Sequence, residues 1–478
     1  MSISENKRTG WSRRGLLRGG AAIAALTAMP GCAYGQTRRM GPNDRINLAA
    51  IGAGGMGANN MANLTGENIV AYADVDLGRV DRSLRDGDGV LKPERVALKA
   101  AYDSAQHFDD YRRMLDTRKD LDAVVIATPD HHHAMAARMA MERGLHVYVQ
   151  KPLTYSVQES RMLHALSRSN PKLMTQMGNQ GHSSDDGRRV VELIRGGAIG
   201  KVSEVHIWTN RPVWPQGVPK PAAVAAPTSL NWDLWLGPAD IDWGYHRDYA
   251  HFNWRGWLPF GTGALGDMGA HLMDFPVWAL ELGLPTRVET RHTLWGGDDD
   301  PWDYKRPEVL TSYPLSAITY YEFGKAKGGP VSLNWYDGGL APPMVRNLPV
   351  DRIMEEEGGV LFVGDGGQLL HDTYGAKPTL IGEEAVARGS KIPQSIPRIR
   401  DGSKGHEQNW ARAIRGEEAI SNPFETACTL NETMLLGIVA MRSEKPIEYD
   451  GVAGRVTNSE EANALLGRTY RSGWALSG

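Results

Sequence analysis

The sequence predicts an α/β protein: a doubly wound parallel sheet, then a second α/β domain built on an open, mainly antiparallel sheet. Three observations predict it. Strand-like and helix-like stretches alternate from residue 44 to about 180, longer alternating strands begin after Val202, and 478 residues exceed one ordinary core.

The first unit carries the most information. An apolar run, Ile46–Ile51, ends in Gly52-Ala-Gly54-Gly55-Met56-Gly57, and a helix-like segment follows. A second run, Ile69–Ala73, ends in Asp74. This layout binds dinucleotides: Gly52 allows the tight turn, Gly54 lets backbone approach a pyrophosphate, and Gly57 lets helix and strand pack closely. Amides at the helix start, from Gly55 and Met56 onward, then face the phosphates. Asp74 stands where a carboxylate accepts the adenosine ribose hydroxyls and repels a 2′-phosphate, which predicts NAD over NADP. The plainer alternative is a strand-end Asp that caps a turn, and Asp76 competes for the ribose.

Further strands are expected at Ala123–Ala127, His146–Val149 and Leu173–Met177, with helices at Ala134–Arg143 and Val157–Ser169. Thr128-Pro129-Asp130-His131-His132-His133 follows the first of these strands, at the carboxyl edge where ligands bind. Thr128 and Pro129 are expected to line the nicotinamide side, and His133 to fix the turn; a polar helix start is the alternative. Consecutive helical side chains diverge, so no metal is expected at the three histidines. Gln150-Lys151-Pro152 follows the next strand, and Pro152 pins the backbone there. Lys151 would project toward the cofactor, able to donate to a substrate hydroxyl or deprotonate it. Alone, such a dipeptide is commonly a solvated turn.

In the second half, Val202–Asn210, Arg287–Leu294, Ala317–Phe323 and Val331–Trp335 read as strands, and His406–Arg415 and Pro423–Arg442 as helices. Asp267 and His271 are four residues apart and share one helix face. A carboxylate that orients an imidazole makes a general base for a hydroxyl proton. Asp274 lies one turn further and is a candidate supporting partner. The alternative is a capped helix start, with Asp267 holding amides. Residues 208–260 and 338–358 read as long loops over a site. Seven tryptophans fall between residues 208 and 257: Trp208, Trp214, Trp232, Trp235, Trp243, Trp254 and Trp257. Aromatic faces stack on sugar rings, so a carbohydrate pocket is one reading and loop anchors in a core the other. His246, Arg247, Asp248 and Arg255 share this region as candidates for hydroxyls or a uronate carboxylate. His406 is a candidate without a role.

Net charge is −3 and no long basic run occurs, which argues against a nucleic-acid partner. Ser12-Arg13-Arg14-Gly15-Leu16-Leu17-Arg18 is a twin-arginine pattern, followed by an apolar stretch, Ala21–Met29, too short to span a bilayer. Ala33-Tyr34-Gly35 offers a cleavage site, so residues 1–35 are expected to be a signal and the protein periplasmic; a basic leader is the alternative. Lipid anchoring at Cys32 is disfavoured by Met29-Pro30. That export route carries folded proteins, so a dinucleotide would be bound before export and kept. After cleavage only Cys428 remains, which leaves no internal disulfide.

In this order, the glycine fingerprint, Thr128-Pro129 with His133, Lys151-Pro152 and Asp267-x-x-x-His271 resemble the Gfo/Idh/MocA family over most of residues 44–450. The resemblance implies a Rossmann domain over residues 44–180, a substrate-binding and oligomerisation domain over 181–450, and a tail over 451–478. It implies that Lys151 contacts substrate and cofactor, that His271 accepts a proton, and that Asp267 contacts substrate. Asn179, Gln180 and His182 are implied near nicotinamide and sugar. One departure stands out: the family usually has Glu-Lys-Pro, and here Gln150 replaces the acid. The implied activity is NAD(P)-dependent oxidation at a CH–OH group of a sugar, polyol or glycoside, in a homo-oligomer. Two alternatives stay open: a redox-neutral glycosidase, and a non-catalytic periplasmic sugar-binding protein.

Overall fold

The computed structural model describes residue 41 and residues 44–293, 310–343 and 358–475. The expected signal segment, Cys32, Leu294 and most of the 338–358 loop lie outside the described residues.

The first sheet has six parallel strands: β1 (Asn47–Ile51), β2 (Asn68–Ala73), β3 (Gln106–Phe108), β4 (Ala123–Ile126), β5 (His146–Gln150) and β6 (Thr175–Gly178). Their order is β3-β2-β1-β4-β5-β6, the doubly wound order with β1 and β4 at the switch point. Alternate β1 residues serve opposite cores: Leu48 and Ala50 face one, with Trp410 and Ile414 from far along the chain. Ala49 and Ile51 face the other, which runs on into the second domain. Burial on both faces explains the unbroken apolar run.

The second sheet has nine strands: β7 (Val202–Thr209), β8 (Arg287–His292), β9 (Ala317–Phe323), β10 (Val331–Tyr336), β11 (Gly358–Gly364), β12 (Gly367–Asp372), β13 (Thr379–Ile381), β14 (Ile447–Asp450) and β15 (Arg455–Val456). Every pairing is antiparallel except β7 with β10. The helix Phe424–Ser443 packs across this sheet and on the helix Val157–Ser169, joining the two domains.

The chain then returns to the first domain. Residues 468–475 are no free tail: Arg468 pairs with buried Glu159 at 2.8 Å, and Tyr470 donates to the same carboxylate. Among the described residues no helix is long and apolar enough to cross a membrane.

Candidate active site

Why the glycine turn has its shape is visible in what a side chain would meet. Gly52 has φ +80°, and a Cβ there would stand 2.8 Å from the Ala127 carbonyl at the end of β4. A Cβ on Gly57 would stand 1.8 Å from the Gly52 carbonyl oxygen, so helix and strand touch through glycine alone. Gly55 is the residue before the helix Met56–Ala62, and its amide donates to Ser83 Oγ at 2.7 Å. Met56, half exposed, opens that helix.

Asp74 follows β2 and ties the turn down. Its Oδ2 accepts from the Ala53 and Gly54 amides at 2.8 and 3.1 Å, and its Oδ1 from the Asp76 amide at 3.0 Å. Burial raises its pKa, and those amides oppose the rise. The capping alternative is therefore what the carboxylate does here, although Asp74 still borders the cavity described below, with lone pairs left for a ribose. Asp76 is not a competitor. It caps the next helix through the Arg79 amide and accepts from His251 at 2.8 Å.

The carboxyl edge of the sheet opens into a cavity of about 270 Å³. Gly52, Gly54, Gly55, Met56, Asp74, Thr128, Pro129, Gln150 and Lys151 line one side, and Trp235, His251, Phe252, Trp254 and Arg255 of the long loop cover the other. Arg79 and Trp474 also reach it, and sequence reasoning singled out neither. Thr128 Oγ1 is buried with no hydrogen-bond partner among the described residues. A close-approach glycine turn beside an orphaned hydroxyl fits a dinucleotide's phosphates and sugars.

His131, His132 and His133 lie buried on the helix Asp130–Glu142, each against backbone carbonyls. His131 reaches Phe260 and Trp235, and His132 reaches Trp235. His133 lies between the Thr128 and Pro152 carbonyls, 2.8 Å from each, and the neutral ring donates to one of them while packing between the two carboxyl-edge turns. Burial pushes its pKa down to about 4. Among the described residues no three His, Cys, Asp or Glu side chains converge as a metal site.

Gln150 Nε2 donates to Asn60 Oδ1 at 3.0 Å, and Asn60 donates in turn to Glu407. The acid the resemblance expects at 150 thus has a counterpart at buried Glu407, one amide away. Lys151 Nζ donates to both the backbone carbonyl and Oδ1 of Asp267, at 2.9 and 2.8 Å. Arg255 Nε donates to the same Oδ1 at 2.9 Å. Burial alone would raise the Asp267 pKa, but the two cations overcome it and hold the group far below the usual carboxylate range.

Asp267 and His271 do share the helix Gly263–Leu272, yet they are differently engaged. The imidazole is held by Asn179, whose Oδ1 accepts from Nδ1 at 2.9 Å, leaving Nε2 as the basic nitrogen. Asp267 is turned to the cations instead, because they neutralise a buried carboxylate and an imidazole does not. Burial first, and Lys151 second, push the His271 pKa well below its ordinary value, so the ring is neutral at pH 7.

Three expected substrate contacts sit elsewhere. His182 pairs with Asp274 at 2.8 Å and stacks on Trp278 at 3.9 Å, in a separate cleft with Arg195 and Glu425. Asp274 therefore supports His182 and not His271. Trp257 is fully buried and donates to the Asp248 carbonyl at 2.6 Å. Most of the tryptophan run is anchor: Trp208 is buried in β7, Trp214, Trp235, Trp254 and Trp257 are buried in the loop, and only Trp235 and Trp254 of the seven face the cavity. Gln180 opens a short turn and does not line the cavity.

Residues 46–177 match the Gfo/Idh/MocA oxidoreductase family, NAD-binding Rossmann fold, and residues 194–289 match that family's C-terminal α/β domain. A glycosyl hydrolase family 109 protein of Saccharopolyspora erythraea is 28% identical over 220 residues, 42% of this chain and 46% of that protein. A dTDP-3,4-didehydro-2,6-dideoxy-alpha-D-glucose 3-reductase of Streptomyces antibioticus is 29% identical over 176 residues, 37% of this chain and 49% of that protein. The chain thus spans about half the length of these curated relatives or less. The WlbA dehydrogenase from Bordetella pertussis, solved in complex with NADH and UDP-GlcNAcA, shares the fold: TM-score 0.58, 15% identity, covering 87% of this chain and 99% of that one. Both domains thus match, in order and on this fold, those of the Gfo/Idh/MocA family of NAD-binding oxidoreductases.

Proposed function

We propose that this chain oxidises a CH–OH group of a sugar, polyol or glycoside, using NAD held in the cavity at the carboxyl edge of the first sheet. The observation that carries the reading is the Lys151–Asp267 contact at 2.8 Å: it joins the cavity wall to the helix that bears a neutral, Nδ1-bound His271. A bound nicotinamide supplies the hydride acceptor. His271 Nε2 takes the hydroxyl proton as the C–H bond breaks. Lys151, held in place by Asp267, steadies the developing alkoxide. Asp267 is the anchor of Lys151 and Arg255 in this scheme, and Asn179 sets the imidazole tautomer. Preference for NAD over NADP rests on the Asp74 charge. The cover formed by Trp235, Phe252 and Trp254 supports a nucleotide that stays bound between turnovers. Export by the twin-arginine route and a homo-oligomer on the second sheet belong to the same proposal.

A second reading is redox-neutral cleavage of a glycoside, favoured by the family 109 glycosyl hydrolase relatives. The first step is the same. The new carbonyl acidifies the neighbouring C–H, a base takes that proton, the aglycone leaves, water adds, and the hydride returns to carbon. The test is to analyse the nucleotide released from purified protein and incubate the holoprotein with free sugars and with glycosides. Coupled oxidation and reduction of two sugars supports the first reading, and sugar release without net NADH the second. Nucleotide-free protein that merely binds sugar would overturn both. His271→Ala should cut hydride transfer at least ~100-fold with nucleotide still bound; normal turnover would remove His271 from the scheme.

A further inference from the structure

Tyr374 belongs to no motif of the sequence, yet its ring lies 4.6 Å from that of His271, edge-on at 65°. It reaches that place at a conformational cost. β12 ends at Asp372, the chain turns through Thr373–Gly375, and Tyr374 adopts φ 65°, ψ 17°. That is the left-handed region, where an aromatic residue crowds its own backbone.

The surroundings impose this conformation. Ser184 Oγ donates to the Tyr374 carbonyl at 3.2 Å. A Cβ on Gly181 would stand 3.2 Å from the Tyr374 Cα. A Cβ on Gly375, itself at φ +76°, would stand 2.6 Å from the Gly187 Cα and 2.7 Å from the Phe275 ring. Glycines on both sides therefore let this turn press between the segment after β6 and the helix of His271. Strained residues persist when their surroundings over-determine them, and they cluster where a site needs one geometry.

We propose that Tyr374 is a positioning residue of the reaction site: its ring and the Asn179 amide clamp the His271 imidazole so that Nδ1 stays bonded and Nε2 faces the reaction. The proposal rests on the reading of His271 as proton acceptor. The charged groups around the imidazole are Lys151, Asp267 and Arg211, from β5's end, the His271 helix and the β7 loop; Tyr374 contributes the uncharged wall. Asn179 Nδ2 is buried without a partner among the described residues, so the amide side of the clamp also has a donor to spare.

The experiment needs no substrate. The full chain is labelled with ¹⁵N-histidine, His271 signals are assigned with His271→Gln, and long-range ¹H–¹⁵N correlations are followed over pH. Wild type should show one tautomer, protonated at Nδ1, that stays neutral well below the ordinary ~6.5. Tyr374→Asn keeps a residue tolerant of the left-handed region and deletes the ring. It should give two exchanging tautomers and an imidazole pKa higher by roughly 0.5–1 unit. Tyr374→Gly is the second ring-less variant should the first not fold, and Tyr374→Phe should match wild type. A ring-less variant with the wild-type tautomer and titration would overturn the proposal, and so would a Phe variant that shifts as far as Asn. Nucleotide content is read on the same samples: its absence from wild type would sink the cofactor reading and leave the clamp test standing.

Discussion

Asp130 shows how one side chain carries a pH dependence. It is buried, accepts from Thr262 Oγ1 at 2.7 Å through Oδ2, and its Oδ1 has no partner among the described residues. Burial pushes its pKa up to about 7. An unfolded Asp ionises near ~3.9. The folded state thus holds a proton that the unfolded state has lost. The contribution of Asp130 to stability is full below ~4 and is lost as pH rises to about 7. Asp130→Asn keeps an acceptor for Thr262 and cannot ionise. It should be more stable than wild type at pH 8, by on the order of a few kcal/mol, with the gap narrowing toward pH 5. Thermal unfolding of both at the two pH values checks this, and a gap independent of pH would contradict it. At this scale the sequence was legible for residues whose role is backbone geometry. Gly57 meets the Gly52 carbonyl within the same turn, a local contact that spacing encodes. Partner choice was not legible. Asp267 meets Lys151 and Arg255, and Asn179 meets His271, through contacts that span 116, 12 and 92 residues. No periodicity encodes them.

The element scale is where loop and tail take on functions. The Trp-rich segment is tied to the first domain by the Asn231 amide on the Val75 carbonyl and by His251 on Asp76. The C-terminal strap closes the other end: Trp474 packs under Arg112 at 3.7 Å and edge-on to Tyr111 and His132. These contacts let two variants separate closure from folding. Trp474→Phe keeps a ring in the core but trims a wall of the cavity, so nucleotide should dissociate faster, by roughly three-fold or more, with under ~2 kcal/mol lost in stability. Arg468→Met strands buried Glu159 and should cost about 3–5 kcal/mol. Nucleotide off-rates and chemical denaturation would show this division; equal effects of the two variants on retention would refute it. The sequence marked the Trp-rich segment as a loop over a site, but the role of the strap could not be read, since its residues look like a plain tail.

Over the whole molecule, the helix Phe424–Ser443 packs on the second sheet and on the helix Val157–Ser169, and Lys151 meets Asp267 where the two domains join. Fold class was legible because two periods, alternation and helical repeat, persist over long stretches. The crossing of the chain back to the first domain through Trp410 and Trp474 was not, since any apolar residue satisfies those cores. The central claim is that the cavity at the glycine turn holds a nicotinamide dinucleotide. Stripped protein titrated with NADH and followed by nicotinamide fluorescence tests it most directly, with Gly57→Ala as the control that drives a methyl into the Gly52 carbonyl. One saturable site per chain in wild type, weakened at least ~100-fold in the variant, is the predicted result. Wild-type protein that neither carries nor binds the nucleotide, or a variant that binds it equally well, would contradict the claim.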